Sequence, residues 1–303
     1  MKCSMKDRTR LALGRAFALA LRIHSRPYKP EGPVVVVAPH PDDETLGCGG
    51  LVAHLARSGA SVRTIFLTDG EASHPAHPLL SPPELARRRK DETLAALAVL
   101  GIKEPQNSAV FLGAPDGQLD RLLTADRRRV VDAVTAQIQT LKPKVVLAPY
   151  RLGGSTEHTA ANSLVRAALA TAGGGHLLEY PVWAWWNPLR LRAQLRLSAD
   201  NLRLPLDRAL WESKRRALAC HRTQILATPP WPEPVLPAAI IRACMSRQEF
   251  YFHHRVTAAV AMNLPAPEPP HHVCPVRQNK RPHLAKICAR PRRLRSAGAD
   301  GRA

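Results

Sequence analysis

An α/β fold built on a mainly parallel sheet is predicted for this 303-residue sequence, and three observations predict it. Short β-branched runs recur up to Val182, helical stretches separate them, and proline or glycine marks many of the boundaries. Strands alternating with helices in this way imply βαβ units. Hydrophobic residues make up 45% and charged residues 22%, an ordinary globular composition in a chain long enough for one large domain or two modest ones.

Residues 1–30 read as one basic helix. Arg15 and Arg22 bracket the apolar stretch Ala16–Leu21, which is far short of the roughly 18 residues of a membrane span. No small-residue cleavage site follows, so the segment is expected to lie on a membrane surface or on the domain itself. Val34–Val37, bounded by prolines, has the pattern of a strand buried on both faces. Further strands are expected at Val62–Leu67, Ala109–Leu112, Val145–Ala148 and Leu177–Val182. Helices are expected at Leu51–Ser58, Glu84–Leu100, Leu122–Leu141 and Thr159–Ala172. Beyond Val182 the order weakens to a helix near Asp207–Cys220 and Pro-rich loops. Residues 265–303 read as a disordered basic tail. The expected organisation is thus a basic helix (1–30), one main domain (31–264) and the tail (265–303).

The net charge of +20 sits mostly at the ends. Residues 1–30 carry eight Lys/Arg against Asp7, and residues 271–303 carry nine against Asp300, together +15 of the total. Such ends favour weak, salt-screened contact with an anionic membrane; no specific nucleic acid is expected. Six scattered cysteines without a CxxC pair exclude a cysteine zinc ribbon and argue against a disulfide scaffold, so a cytoplasmic protein, at most peripheral to a membrane, is expected.

In a parallel sheet the ligand crevice lies beyond the carboxyl ends of the strands. The first strand ends there in Pro39-His40-Pro41-Asp42-Asp43-Glu44. Adjacent carboxylates repel, and burying them costs free energy unless a cation neutralises them. Histidine with aspartate suits zinc, whose catalytic sites take three protein ligands and keep one position open. The alternative is a strand-end loop in which Asp43 caps the next helix. Glu157-His158, after the strand Val145–Ala148, leaves the same sheet edge; His158 reads either as a third ligand or as a structural histidine.

These residues resemble the PIG-L/LmbE-like zinc-dependent N-acetylglucosamine deacetylases. The likeness extends through Thr68–Pro75, Arg89–Glu92, Leu112–Gly117, Glu179–Trp183 and Lys214–Gln224, and covers about residues 33–255. It implies a Rossmann-like, mainly parallel sheet with helices on both faces. It also implies removal of an N-acetyl group from a small glycoconjugate substrate, with Zn2+ or another divalent metal as cofactor. By the same likeness His40, Asp43 and His158 hold the metal, and Asp42 is the general base that later returns a proton to the departing amine. Arg89 matches a substrate-contacting position, and Asp116 lies in a motif expected to face substrate. Glu44 is expected to orient its neighbours. Family members commonly carry an oxyanion-stabilising histidine three residues before the third ligand; Ser155 stands there. Losing such a donor typically costs about 10²–10³ in rate. His74 and His77 follow the second strand and are candidates to replace it.

Other signals have plainer readings. Gly47-Cys48-Gly49-Gly50 is not the dinucleotide pattern, and close packing of the following helix explains its glycines, with Cys48 a buried filler. In Trp183-Ala184-Trp185-Trp186 the first tryptophan is expected in the core, and Trp185 and Trp186 on a pocket wall. Two further functions remain open from the residues alone. One is a magnesium-dependent phosphodiesterase using Asp42-Asp43-Glu44, disfavoured because the histidines suit zinc better. The other is a degenerate deacetylase fold kept as a binding module, with Ser155 as its lesion and the basic termini as its contact.

Overall fold

The computed structural model describes residues 5–196 and 200–258, which belong to one compact unit. The tail expected over 265–303 lies outside the described residues. Eight strands form one sheet: β1 Arg26–Pro27, β2 Val34–Ala38, β3 Val62–Thr68, β4 Ala109–Ala114, β5 Val145–Pro149, β6 Gly175–Tyr180, β7 Asn201–Pro205 and β8 Gln248–Val256. The helices are α1 Met5–Ile23, α2 Asp43–Arg57, α3 Pro82–Val99, α4 Pro105–Ser108 and α5 Thr124–Leu141. After them come α6 Thr156–Thr171, α7 Arg192–Arg196, α8 Arg208–Leu218, α9 Arg222–Ile225 and α10 Ala238–Cys244.

The strand order is β1-β7-β8-β6-β5-β2-β3-β4. β2, β3, β4, β5 and β6 run parallel, while β8 is antiparallel to both its neighbours, β6 and β7. From β2 the chain winds outward through β3 to β4, then returns to β5 on the other side of β2 and continues to β6. The reversal falls between β2 and β5. Such a switch point opens a crevice at the carboxyl ends of the two strands, because their outgoing loops diverge to opposite sides.

The all-valine start of β2 follows from burial on both faces. Val34 and Val36 pack with α2, α3 and α8, whereas Val35 and Val37 pack with α5 and α6. All four are fully buried. The architecture is therefore a Rossmann-like α/β sandwich of a mostly parallel sheet with helices on both faces. α1 lies against this body: Leu21 is buried in the first cluster, and the Arg10 guanidinium stands 4.1 Å over the Trp186 ring. Among the described residues no helix is long and apolar enough to cross a membrane.

Three expectations need correction. α2 begins at Asp43 and not at Leu51, so the glycines lie inside it, and Asp43 is its first residue rather than its cap. A Cβ on Gly47 would come within 2.2 Å of the Tyr180 ring, and one on Gly50 within 2.3 Å of Leu206, so packing does explain them. Among the tryptophans, Trp185 is the buried one, tilted against Phe250, while Trp183 is only partly buried and Trp186 is covered by α1. Finally, β7 and β8 were not anticipated beyond Val182; they extend the sheet with an antiparallel edge.

Candidate active site

The loop after β2 and the first turn of α6 meet at the switch point. Asp43, at the start of α2, turns Oδ2 between two imidazoles: His40 Nδ1 is 3.1 Å away and His158 Nε2 3.2 Å away. His158 reaches this place because Ser155 caps α6, accepting the His158 backbone N–H at 3.3 Å, which sets the histidine in the helix's first turn. The Ser155 hydroxyl is thus engaged at the helix end. The carboxylate of Asp43 is buried, which alone would raise its pKa; the imidazoles of His158 and His40 outweigh this and hold it well below the usual range.

These three donors suit a divalent cation. Their ligand atoms lie within 4.8 Å of one another. His158 Nε2 is buried and makes no hydrogen bond despite its closeness to Asp43. An orphaned imidazole nitrogen aimed at a carboxylate oxygen and a second imidazole is the donor set of a zinc-type site. His40 completes the picture through its other nitrogen: Nε2 lies 3.2 Å from Asp116 Oδ1 and 3.5 Å from Glu157 Oε2. Carboxylates on the far nitrogen of a ligating histidine fix its ring and raise its basicity. The group His40, Asp116 and Glu157 also brings ligand atoms together, but it has one imidazole where the first group has two. Asp116 is buried, which would raise its pKa, yet His40 and Arg89 bring it down to about 2.

Asp42 stands beside these ligands, 5% exposed, with a backbone φ of 144°. Three contacts, from two residues, hold it there. Its N–H donates to Glu44 Oε2 at 3.0 Å, Arg89 Nη2 donates to the Pro41 carbonyl at 2.7 Å, and the same nitrogen approaches Asp42 Oδ2 at 3.3 Å. Burial raises the Asp42 pKa, Arg89 opposes this and Asp43 adds to it, leaving the carboxyl at about 7. Arg89 also donates to the Gly70 carbonyl and is 2% exposed. Arg89, expected against substrate, braces the Pro41–Asp42 loop through its two terminal nitrogens, while its buried Nε is left without a partner.

Glu44 is fully buried and accepts from Thr45 Oγ1 at 2.6 Å, and His221 Nε2 lies 3.2 Å from its Oε1. Burial lowers the His221 pKa, but Glu44 more than offsets it and raises the imidazole above its ordinary value. This pairing went unrecognised in the sequence, although Lys214–Gln224 stood out as a motif; no spacing rule links a histidine to a carboxylate so far along the chain. The same holds for Glu157, which cross-links the site by accepting from Leu119 N at 2.8 Å and Gly117 N at 3.2 Å.

His74 is not brought to the ligands. Its ring nitrogens face Ser73 and Thr228, and the ring stacks on Trp231 at 5.1 Å, with His77 edge-on to both rings. The compensating role expected of His74 and His77 is therefore not what their side chains do; they pin two loops together.

Known proteins are similar to this chain in sequence and fold. Residues 35–169 match the family described as PIG-L: GlcNAc-PI de-N-acetylase. A deacetylase of 1D-myo-inositol 2-acetamido-2-deoxy-α-D-glucopyranoside from Mycobacterium avium is 30% identical over 245 residues, covering 65% of this chain and 81% of that protein. A protein of the same description from Rhodococcus erythropolis is 27% identical over 262 residues, covering 72% and 89%. In fold the chain is similar to N,N'-diacetylchitobiose deacetylase from Pyrococcus horikoshii, with a TM-score of 0.50 and 18% identity over 88% of this chain and 97% of that one. With the ordered motifs, the family match and the coverage of these relatives in agreement, the chain belongs to the PIG-L family.

Proposed function

We propose that this protein is a metal-dependent N-deacetylase that hydrolyses the acetamide of an N-acetylglucosamine-type glycoconjugate. One observation carries the reading: Asp43 Oδ2 is flanked by His40 Nδ1 and an otherwise unpartnered His158 Nε2, with the buried carboxylate of Asp42 alongside. The relatives named above are deacetylases of a 2-acetamido-2-deoxyglucosyl inositol and of diacetylchitobiose, which favours a sugar acetamide as substrate. The ligands would be His40, Asp43 and His158, and two imidazoles with one carboxylate favour zinc. A divalent cation bound there would act as a Lewis acid toward the attacking water and the acetyl carbonyl.

The chain's own residues supply the rest. Asp42 takes a proton as the water oxygen bonds to the carbonyl carbon, and negative charge passes to the carbonyl oxygen. When the C–N bond breaks, Asp42 returns that proton to the nitrogen; the amine and acetic acid leave, the acid giving up the second water proton to the amine or to solvent. A buried carboxyl beside the reacting water suits this double duty, taking one proton and returning it within the same cycle. Arg89, Glu44 and the Asp42 backbone keep the carboxylate in place through the cycle.

The test is metal analysis beside an amine-release assay on 1D-myo-inositol 2-acetamido-2-deoxy-α-D-glucopyranoside and N,N'-diacetylchitobiose. Purified chain should hold about one zinc-type ion and release amine, whereas Asp42→Asn should keep the ion and lose at least about 10²-fold in kcat, the usual share of a general base. Metal-free protein with His158 intact, or amine release that persists in Asp42→Asn, would end this reading.

A further inference from the structure

Amide hydrolysis places a negative charge on the carbonyl oxygen, and the nearby cationic side chains are nearly all committed elsewhere. Arg89 is locked to Gly70, Pro41 and Asp42. Lys214 Nζ is buried against Glu249 and the Leu46 carbonyl. His221 faces Glu44, and His74 is stacked on Trp231. Arg151 leans toward Glu179 at 4.0 Å.

Arg190 is different. It is exposed, and among the described residues its guanidinium takes no ion-pair or hydrogen-bond partner. Its backbone, by contrast, is fixed. Arg190 sits in the 3-10 turn Pro188–Leu191, its N–H donates to Asn187 at 3.0 Å, and its carbonyl accepts from the buried Tyr150 hydroxyl at 3.3 Å. Tyr150 follows β5 directly, so this turn is tied to the loop that leads into α6. The guanidinium lies over Gly154, the residue before the Ser155 cap. Gly154 has φ +98°, and a Cβ there would sit 2.6 Å from Arg190 Nε and 2.9 Å from Cζ. The left-handed glycine leaves a cradle that the guanidinium fills, at the very loop that delivers His158.

We infer that Arg190, seated against Gly154 next to Ser155, is the cationic donor for the acetyl oxygen in this chain, since the short Ser155 hydroxyl is already engaged with the helix end. This rests on the deacetylase reading. During attack of water on the carbonyl carbon, Arg190 donates an N–H to the oxygen as it gains charge and keeps its own proton throughout; Asp42 alone carries the transferred proton. The held backbone and the contact with Gly154 limit where the planar head can go, which cuts the reorganisation needed as charge develops on the oxygen.

The experiment measures kcat and KM separately for wild type, Arg190→Ala, Arg190→Lys, Arg151→Ala and the double variant Ser155→His/Arg190→Ala, on the two sugars above, with metal content measured in each. Arg190→Ala should lose about 10²–10³ in kcat with KM and metal content near wild type. Arg190→Lys should recover part of the loss, and the double variant should recover part by placing an imidazole donor beside Gly154. Arg151→Ala should keep kcat within a few-fold. A rise in KM alone, an unchanged kcat in Arg190→Ala, or an equal loss in Arg151→Ala would overturn the assignment and leave the deacetylase reading standing. Wild-type chain inactive on both sugars and free of metal would overturn both.

Discussion

Asp42 adopts a backbone conformation that costs a non-glycine residue about 1–3 kcal/mol, so the groups that hold it there must do so firmly. Glu44 is the chief of these. One of its oxygens receives the Asp42 N–H, and the other faces Thr45 and His221, all away from water. Removing that carboxylate would strand an amide and an imidazole together. Glu44→Ala is expected to lower stability by about 3–5 kcal/mol in urea unfolding, the usual cost of breaking a buried pair on one side. Glu44→Gln, which keeps an acceptor for the Asp42 N–H, should lose less stability and retain more kcat. Equal damage from both variants would show that the charge, not the hydrogen-bonded placement of Asp42, is what matters. At this scale the sequence was informative where chemistry is local: His40, Asp42 and Asp43 crowd into one strand end. It was silent on Arg89 and His221 as braces, because their partners are set by the packing of α3 and α9 against the β2 loop, which no local pattern encodes.

α2 carries the local motif into the fold. Its first residues, Asp43 and Glu44, are acids at the positive end of the helix dipole, a favourable position with or without a metal. The polar start hid the helix: an apolar pattern appears only from Leu51, and the acids and glycines before it resemble a loop. Those glycines are requirements of contact. Gly→Ala inside a helix ordinarily stabilises by about 1 kcal/mol. At Gly47 the sign should reverse, because the Tyr180 ring stands 2.2 Å from the added Cβ and is anchored by its hydroxyl on the Val37 carbonyl at 2.8 Å. Gly47→Ala is expected to destabilise by about 1–3 kcal/mol, read as a lower urea midpoint with an unchanged slope. A stabilised variant would mean that Tyr180 yields easily and that α2 is not seated by this contact. The antiparallel edge was illegible for a related reason. β7 reads Asn-Leu-Arg-Leu-Pro and β8 flanks its short aromatic run with Glu249 and two histidines; Glu249 is explained only by partners elsewhere, Lys214 and the N–H groups of Gly50 and Leu51 within α2.

Across the whole molecule, function depends on keeping β2, β5 and β6 in register at the switch point while α6 holds His158 over them. The βαβ alternation was enough to predict that crevice, since it follows from chain direction and strand order rather than from any one side chain. What fastens α6 to the sheet is Glu179, fully buried on β6. Its Oε1 receives Asn162 Nδ2 at 2.9 Å and Arg166 Nη2 at 2.6 Å, while His254 Nε2 of β8 lies 3.5 Å from Oε2 and Arg151 Nε stands 4.0 Å from Oε1. Asn162 also donates to the Pro149 carbonyl at the end of β5, so this one amide ties the helix to two strands. Burial alone would raise the Glu179 pKa; His254 and Arg166 outweigh it and hold the carboxyl below its ordinary value. A depressed folded-state pKa means that the unfolded chain binds the proton first as acid is added. The stabilisation is therefore full above the unfolded glutamate value of about 4.3 and is lost as pH falls through the lower folded value. Wild-type stability should drop more steeply than that of Glu179→Gln below about pH 4.3, with the two curves drawing together in acid and the variant the less stable at pH 7. Parallel pH profiles in urea unfolding would show that Glu179 is bound no more tightly in the folded protein than in the unfolded chain, and that α6 owes its seat to the apolar contacts of Leu164 and Val165 alone.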